Sequence, residues 1–295
     1  ACAWLFLPSR RWQRQTGPSQ EKLKQSLIHY LFWEKKEDER KKMKEQSVSS
    51  ISLFYNARSA LYHGIRALGI GWSDEIILQA YTCVSVPNAI IATGARPVYC
   101  DIDPETLNID PTNIIPLITP RTKAILIQHT FGIPADITAI QKICTDHNII
   151  LIEDVCHALG GEYQWQKLGT FGDIAIFSFG RDKIISSVNG GALLINPNAR
   201  HCEEQSNPWY FTSFKMTQLP KKTIIQNLLY IILWQLCKIS YRFWIGKFLY
   251  YLSGTYHLFP SIVTSDEKAC RYTDFDYMMP HCLADIAYRE LKRID

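Results

Sequence analysis

In DIAIFSFGRDKIISSVNGGALLIN (173–196), Lys183 occupies a short polar turn between two apolar runs, and a glycine pair follows. A lysine in water is a protonated point charge, whereas one held in a desolvated cleft sheds its proton more readily and becomes a nucleophilic amine. Upstream, IEDVCHALG ends another apolar run with Glu153 and Asp154, and His157 follows three residues after Asp154. QHTFG ends a third run with His129, and Ser178 closes the run before Lys183. NARSALYHGIRALGI has helical periodicity, so its first N–H groups, near Ala57 and Arg58, form a natural seat for a phosphate. An amine, a carboxylate, an imidazole, a hydroxyl and an anion seat are ingredients for covalent amine chemistry on a phosphorylated ligand.

Each residue also has a plainer reading. Lys183 suits a solvated surface, Asp154 a helix N-cap, and His157 a satisfied core histidine. Ser178 suits a hydroxyl bonded to backbone, and Arg58 the outer face of its helix. Cys83 and Cys156 suit small apolar fillers. No His/Cys/carboxylate cluster has metal-ligand spacing, and the glycine fingerprints of nucleotide sites are absent. The combination points to pyridoxal 5′-phosphate. That cofactor needs a lysine for a Schiff base, an acid beside its ring nitrogen so that the ring can act as an electron sink, and a phosphate cup.

The elements that must carry these groups follow from hydropathy. Short apolar runs recur at 75–80, 96–103, 123–129, 148–154, 173–179 and 191–196. Most are continuous, as expected of strands covered on both faces. CVSVPNAIIATG and ITAIQKICTDH, read as helices, lie between them. This alternation predicts a three-layer αβα sandwich with a mainly parallel sheet. In such sheets ligands bind outside the carboxyl ends of the strands, where the candidate residues fall.

The 295 residues, 47% hydrophobic, suffice for one large domain or two modest ones. A net charge of +4 does not suggest a nucleic-acid partner. Nine cysteines, odd in number and without a CxxC pair, argue against a disulfide framework and for a reducing cytosol. The chain begins without Met, and the apolar part of ACAWLFLPSRRW is too short to span a bilayer and lacks signal-peptide order; the true start is expected upstream. Residues 20–46 read as a helix with Leu23, Leu27, Tyr30 and Leu31 on one side and a charged second half. Residues 223–252 are rich in aromatics, with basic residues at intervals. They read as buried or dimer-interface helices, or as an interfacial membrane helix, being short and polar for a span.

Residues 51–200 resemble the DegT-type family of pyridoxal-phosphate-dependent sugar aminotransferases, which have the type I aminotransferase fold. The matching pieces are ALGIGWSDEIILQAYTCVSVPNAIIATGARPVYCDIDPETLNID and the run from ITPRTKAILIQHTFG through IEDVCHALGG to DIAIFSFGRDK. The resemblance implies that Lys183 bonds the cofactor and shuttles a proton, and that Asp154 meets the pyridinium nitrogen. It puts His157 near the phenolic oxygen, Ser178 on the phosphate, and the Ala57 and Arg58 backbone in the phosphate cup. Cys83 stands where a ring often stacks on the cofactor. In DYMMP, Asp276 stands where the family has an asparagine that can reach the partner subunit.

The implied organisation is an N-terminal helical and charged segment (1–50), a pyridoxal-phosphate-binding large domain (51–200), and a helical aromatic-rich segment (201–295) leading to a small domain that lies beyond this chain. The implied activity is transfer of an amino group, with glutamate as the expected donor, to a nucleotide-linked keto-sugar for surface-glycan synthesis. A homodimer in the cytoplasm is implied, and membrane contact through 223–252 would place it at the inner face. Dehydratases on this scaffold replace the lysine with histidine, so Lys183 speaks against that branch. The other reading is a non-catalytic scaffold or regulator that keeps the fold.

Overall fold

The computed structural model describes residues 18–32, 51–196, 217–240, 247–248, 251 and 275–293. The six runs read as strands are all strands. In chain order the elements begin with α1 (Pro18–Phe32), β1 (Ile51–Phe54), α2 (Ala57–Ala67), β2 (Glu75–Gln79), α3 (Ser85–Ala92) and β3 (Arg96–Cys100). They continue with β4 (Thr122–Gln128), α4 (Ile137–Asp146), β5 (Ile150–Asp154), a small hairpin of β6 (Glu162–Tyr163) and β7 (Gln166–Lys167), β8 (Ile174–Ser178) and β9 (Gly191–Ile195). Two helices follow, α5 (Lys221–Ser240) and α6 (His281–Leu291). The helix expected over 20–46 is present to Phe32, and its charged second half lies outside the described residues.

Seven strands form one sheet in the order β1-β9-β8-β5-β4-β2-β3. The pairs β2–β3, β2–β4, β4–β5 and β5–β8 are parallel, and β8–β9 and β1–β9 are antiparallel. The sheet is therefore mainly parallel, with an antiparallel end. β1 is absent from the sequence reading because ISLF is only four residues long, too short for periodicity to register.

The alternation of side chains across a strand splits the core in two. Ile77, Ile125, Leu151, Ala175 and Leu194 face one way, into a cluster with α1, α4 and α6. Ile76, Ala124, Ile152, Ile174 and Leu193 face the other way, into a cluster with α2 and α3. A buried layer on each face is why the strands read as continuous apolar runs, and it makes the predicted three-layer αβα sandwich.

β2 leads toward β3 on one side, and β4 leads toward β5 and β8 on the other. The direction in which successive strands are added to the sheet thus reverses between the parallel neighbours β2 and β4, which opens a crevice outside their carboxyl ends.

Candidate active site

Strand register brings the candidate residues to one edge. Asp154, the last residue of β5, lies opposite Ile176 of β8. Two residues on, Ser178 ends β8 opposite Gly191, the first residue of β9. Gly191 in turn faces Phe54, the last residue of β1, just before the start of α2. A Cβ on Gly191 would sit 2.5 Å from the Ala57 nitrogen and 2.6 Å from the Asn56 oxygen. Only glycine lets the β9 backbone pass this close to the opening of α2, so the anion seat and Ser178 become neighbours. Asn56 caps α2 by accepting the Ser59 N–H at 2.9 Å.

The Asp154 carboxylate is buried and its Oδ1 accepts the Cys156 N–H at 2.9 Å. No helix follows it, so it closes a turn at the strand end and is not a helix cap. His157 leaves that turn. Burial, then the Lys183 charge, push its pKa down, while Asp154 and Asp182 pull it up; the net direction is down. The imidazole is therefore neutral at neutral pH, and its Nδ1 is buried without a hydrogen-bond partner.

Ser178 Oγ accepts the Gly180 N–H at 3.3 Å. The turn after it carries Lys183, whose side chain is only 14% exposed and whose Nζ lies 3.2 Å from Asp182 Oδ2. Burial pushes the Asp182 carboxyl up, but the Lys183 charge and hydrogen bond outweigh it and hold the pKa below the usual value. Lys183 also acts electrostatically on Cys156, which further feels Asp154 and Cys83. Amine, carboxylate, imidazole and thiols thus share one electrostatic neighbourhood.

Not every strand-end residue joins them. His129 and Glu153 are fully buried and pair with each other at 3.3 Å. His129 Nδ1 accepts the Ala135 N–H, so Nε2 carries the proton and donates it to Glu153. Glu153 also accepts the N–H groups of Gly169, Phe171 and Gly172. This pair pins the loop that feeds β8. Cys83, which acts electrostatically on Cys156, is exposed before α3, with its thiol 3.5 Å from Ser85 Oγ. Asp276 lies 3.4 Å from His63 Nε2.

The structure adds contacts that sequence reasoning did not give. Phe131, in the left-handed region at φ 51°, stacks on His157 with centroids 6.0 Å apart and planes 9° apart. Tyr81, beyond β2, meets Phe131, beyond β4, edge-on at 6.4 Å, so this contact crosses the crevice. Asn227 of α5 donates to Tyr55 Oη at 2.9 Å, and Asn189 donates to Asn227 Oδ1 at 2.7 Å. Arg181 lies over the Tyr230 ring at 4.8 Å. The polar residues inside an apolar helix were the available signal for Asn227.

The donor set fits pyridoxal 5′-phosphate. There is a buried carboxylate for a ring N–H, a shielded amine for an aldehyde, and an orphaned imidazole nitrogen for a phenolic oxygen. A hydroxyl on the strand that runs beside a helix opening suits a phosphate. Among the described residues no group of His, Cys, Asp and Glu could hold a metal ion.

Residues 42–206 match the family model described as the DegT/DnrJ/EryC1/StrS aminotransferase family. The chain is 40% identical over 141 residues to GDP-perosamine synthase of Caulobacter vibrioides, covering 48% of this chain and 38% of that protein. It is 39% identical over 136 residues to L-glutamine:2-deoxy-scyllo-inosose aminotransferase of Streptomyces kanamyceticus, covering 46% and 32%. The matches thus span 32% and 38% of those relatives' own lengths. Among solved structures, NtdA of Bacillus subtilis with bound cofactor PMP superposes with a TM-score of 0.54 at 28% identity, covering 65% of this chain and 42% of that one.

Proposed function

The chain belongs to the DegT/DnrJ/EryC1/StrS aminotransferase family, and on that premise we propose that it binds pyridoxal 5′-phosphate and moves an amino group from an amino acid, glutamate in the simplest case, to a keto-sugar carried on a nucleotide. The observation that carries the reading is the convergence of Lys183, Asp154, His157 and Ser178 at the carboxyl edge of one sheet. The relatives' names support a sugar-like acceptor. Six cysteines among the described residues stand outside any disulfide, which suits a reducing cytoplasm. Assembly as a homodimer belongs to the same proposal.

When bound, the cofactor supplies an electron sink for negative charge at the carbon that carries the amino group. The chain's own residues do the rest. Lys183 would hold the aldehyde carbon, and its Nζ would then carry a proton between substrate and cofactor as acid and base. Asp182, ion-paired with that amine, holds it in place while it is charged. Asp154 would keep the ring nitrogen protonated. The neutral His157 ring would orient the phenolic oxygen, and Phe131 steadies that ring from its other face. Ser178 and the opening of α2 would anchor the phosphate.

The test is an absorption spectrum of the full chain with added pyridoxal phosphate, beside Lys183→Ala, before and after borohydride. A visible band in the parent, absent in the variant, with reduced cofactor fixed to the peptide containing residue 183, is the expected result. A label on another lysine, or none, overturns the assignment of Lys183. A band without amino transfer from glutamate to any keto-sugar nucleotide favours the scaffold reading.

A further inference from the structure

Helix α5 has two unlike faces. Ile224, Asn227 and Cys237 are buried against the protein, and Asn227 is tied to Tyr55 and Asn189. On the opposite side Ile225, Leu229, Ile232, Leu236 and Ile239 follow one another at spacings of four, three, four and three. At ~100° per residue they share an arc of about 80°. Ile225 is 53% exposed, Leu229 45%, Leu236 49% and Ile239 75%. The exposed apolar side chains of Phe248 and Tyr251 extend the list beyond the helix.

Charge identifies what covers this face. Between residues 221 and 252 stand Lys221, Lys222, Lys238, Arg242 and Lys247, and no Asp or Glu. The segment's +5 exceeds the whole chain's +4, so everything outside it carries a net −1. A second copy of the helix would bring like charge against like charge with no acid to answer it. No helix among the described residues is long and apolar enough to cross a membrane.

We propose that the outer face of α5, at Ile225, Leu229, Ile232, Leu236 and Ile239, docks in the plane of an anionic lipid bilayer, with the exposed Lys221, Lys222 and Lys247 at the headgroups. Apolar burial and basic attraction act together, and the attraction is screened by salt. This docking is independent of the amino-transfer reading and needs no cofactor.

The experiment is flotation of the full chain with vesicles of phosphatidylcholine alone or with about 30% phosphatidylglycerol, at low and high salt. The expected result is recovery with the anionic vesicles only, weakened at high salt. At about fivefold in affinity per basic residue, Lys221→Glu with Lys222→Glu lowers binding by well over tenfold. Ile225→Ser with Leu229→Ser and Leu236→Ser abolishes it. Thermal melts of the variants confirm that they fold, since all these positions are exposed. No recovery with anionic vesicles, or equal recovery with neutral ones, overturns the proposal. So does a serine variant that keeps vesicle binding but changes association state in sedimentation, because the face would then meet a second copy.

Discussion

Val188 has φ 76°, a left-handed conformation that costs a β-branched residue about 1–2 kcal/mol. It is held there between Ser187, whose hydroxyl donates to Asn189 O at 2.9 Å, and Ser186, whose hydroxyl accepts the Val188 N–H. This turn leads from the Lys183 loop into the glycine pair. At ordinary sites alanine is the more stabilising of the two smallest residues; here the order reverses. Val188→Gly is expected to melt higher than Val188→Ala, by about 1 kcal/mol in stability, because both lose the same packing and only glycine escapes the strain. A melt with alanine ahead would show the turn to be unstrained. His157 gives a second test. Its NMR titration midpoint should lie below 6.5 and rise in Lys183→Met, since the neighbouring ammonium helps to hold it down. The residue types of the candidate site were legible in sequence because each sits at the end of an apolar run or in the short turn after it. The Phe131 stack and the Asp182 ion pair were not, since neither partner choice follows from spacing along the chain.

At the scale of elements, the end of the sheet away from the site is fastened by one carboxylate. Glu75 opens β2 and is fully buried; it meets Arg96 at the start of β3, and Arg121 and Thr119 ahead of β4. The Arg96 hydrogen bond, against the opposing effect of burial and with help from Thr119 and Arg121, lowers its pKa from 4.5 to about 2. A depressed carboxylate pKa contributes stability that is complete above 4.5 and fades as pH falls through about 2. Glu75→Gln is expected to cost about 1–3 kcal/mol at neutral pH and to flatten the stability profile in that acid window. An unchanged profile in urea titrations would assign the acid limb elsewhere. On the opposite layer, α1 sets Leu23, Leu27 and Leu31 against the sheet and α6. Its Gln20 donates to Met279 O, and its Ser19 N–H donates to His281 Nε2. Leu27→Ala should therefore cost about 2–5 kcal/mol in denaturant unfolding, the range of a fully buried leucine. A loss below about 1 kcal/mol would mean that α1 only leans on the domain.

For the molecule as a whole, three histidines share one behaviour. Burial is the leading cause that lowers the pKa of His63, His157 and His281. Each is favoured neutral when folded, so the unfolded chain binds more protons as pH falls below 6.5, and stability declines there. The urea midpoint should drop between about pH 7.5 and 5.5, well above the window in which Glu75 titrates. A midpoint that holds steady would remove the histidines from the acid response. The described sheet and its two layers account for this coupling, because α2 buries His63 and the site turn and α6 half-bury His157 and His281.

What the chain's sequence determined by itself was the set of strands, their mainly parallel packing and the types of residue at their ends. Each of these depends on local hydropathy and on the rule that ligands meet a parallel sheet at its carboxyl edge. Register and partner choice were left to the tertiary structure. It separated Asp154 from its neighbour Glu153, sending one to the site edge and the other into a buried pair with His129. It added β1, too short to show a period, and so brought the opening of α2 beside Ser178. It also turned α5 so that Asn227 faces the protein and the 4-3-4-3 apolar row faces out. These outcomes depend on which backbones lie side by side, and contacts between residues so distant along the chain leave no periodic trace in it.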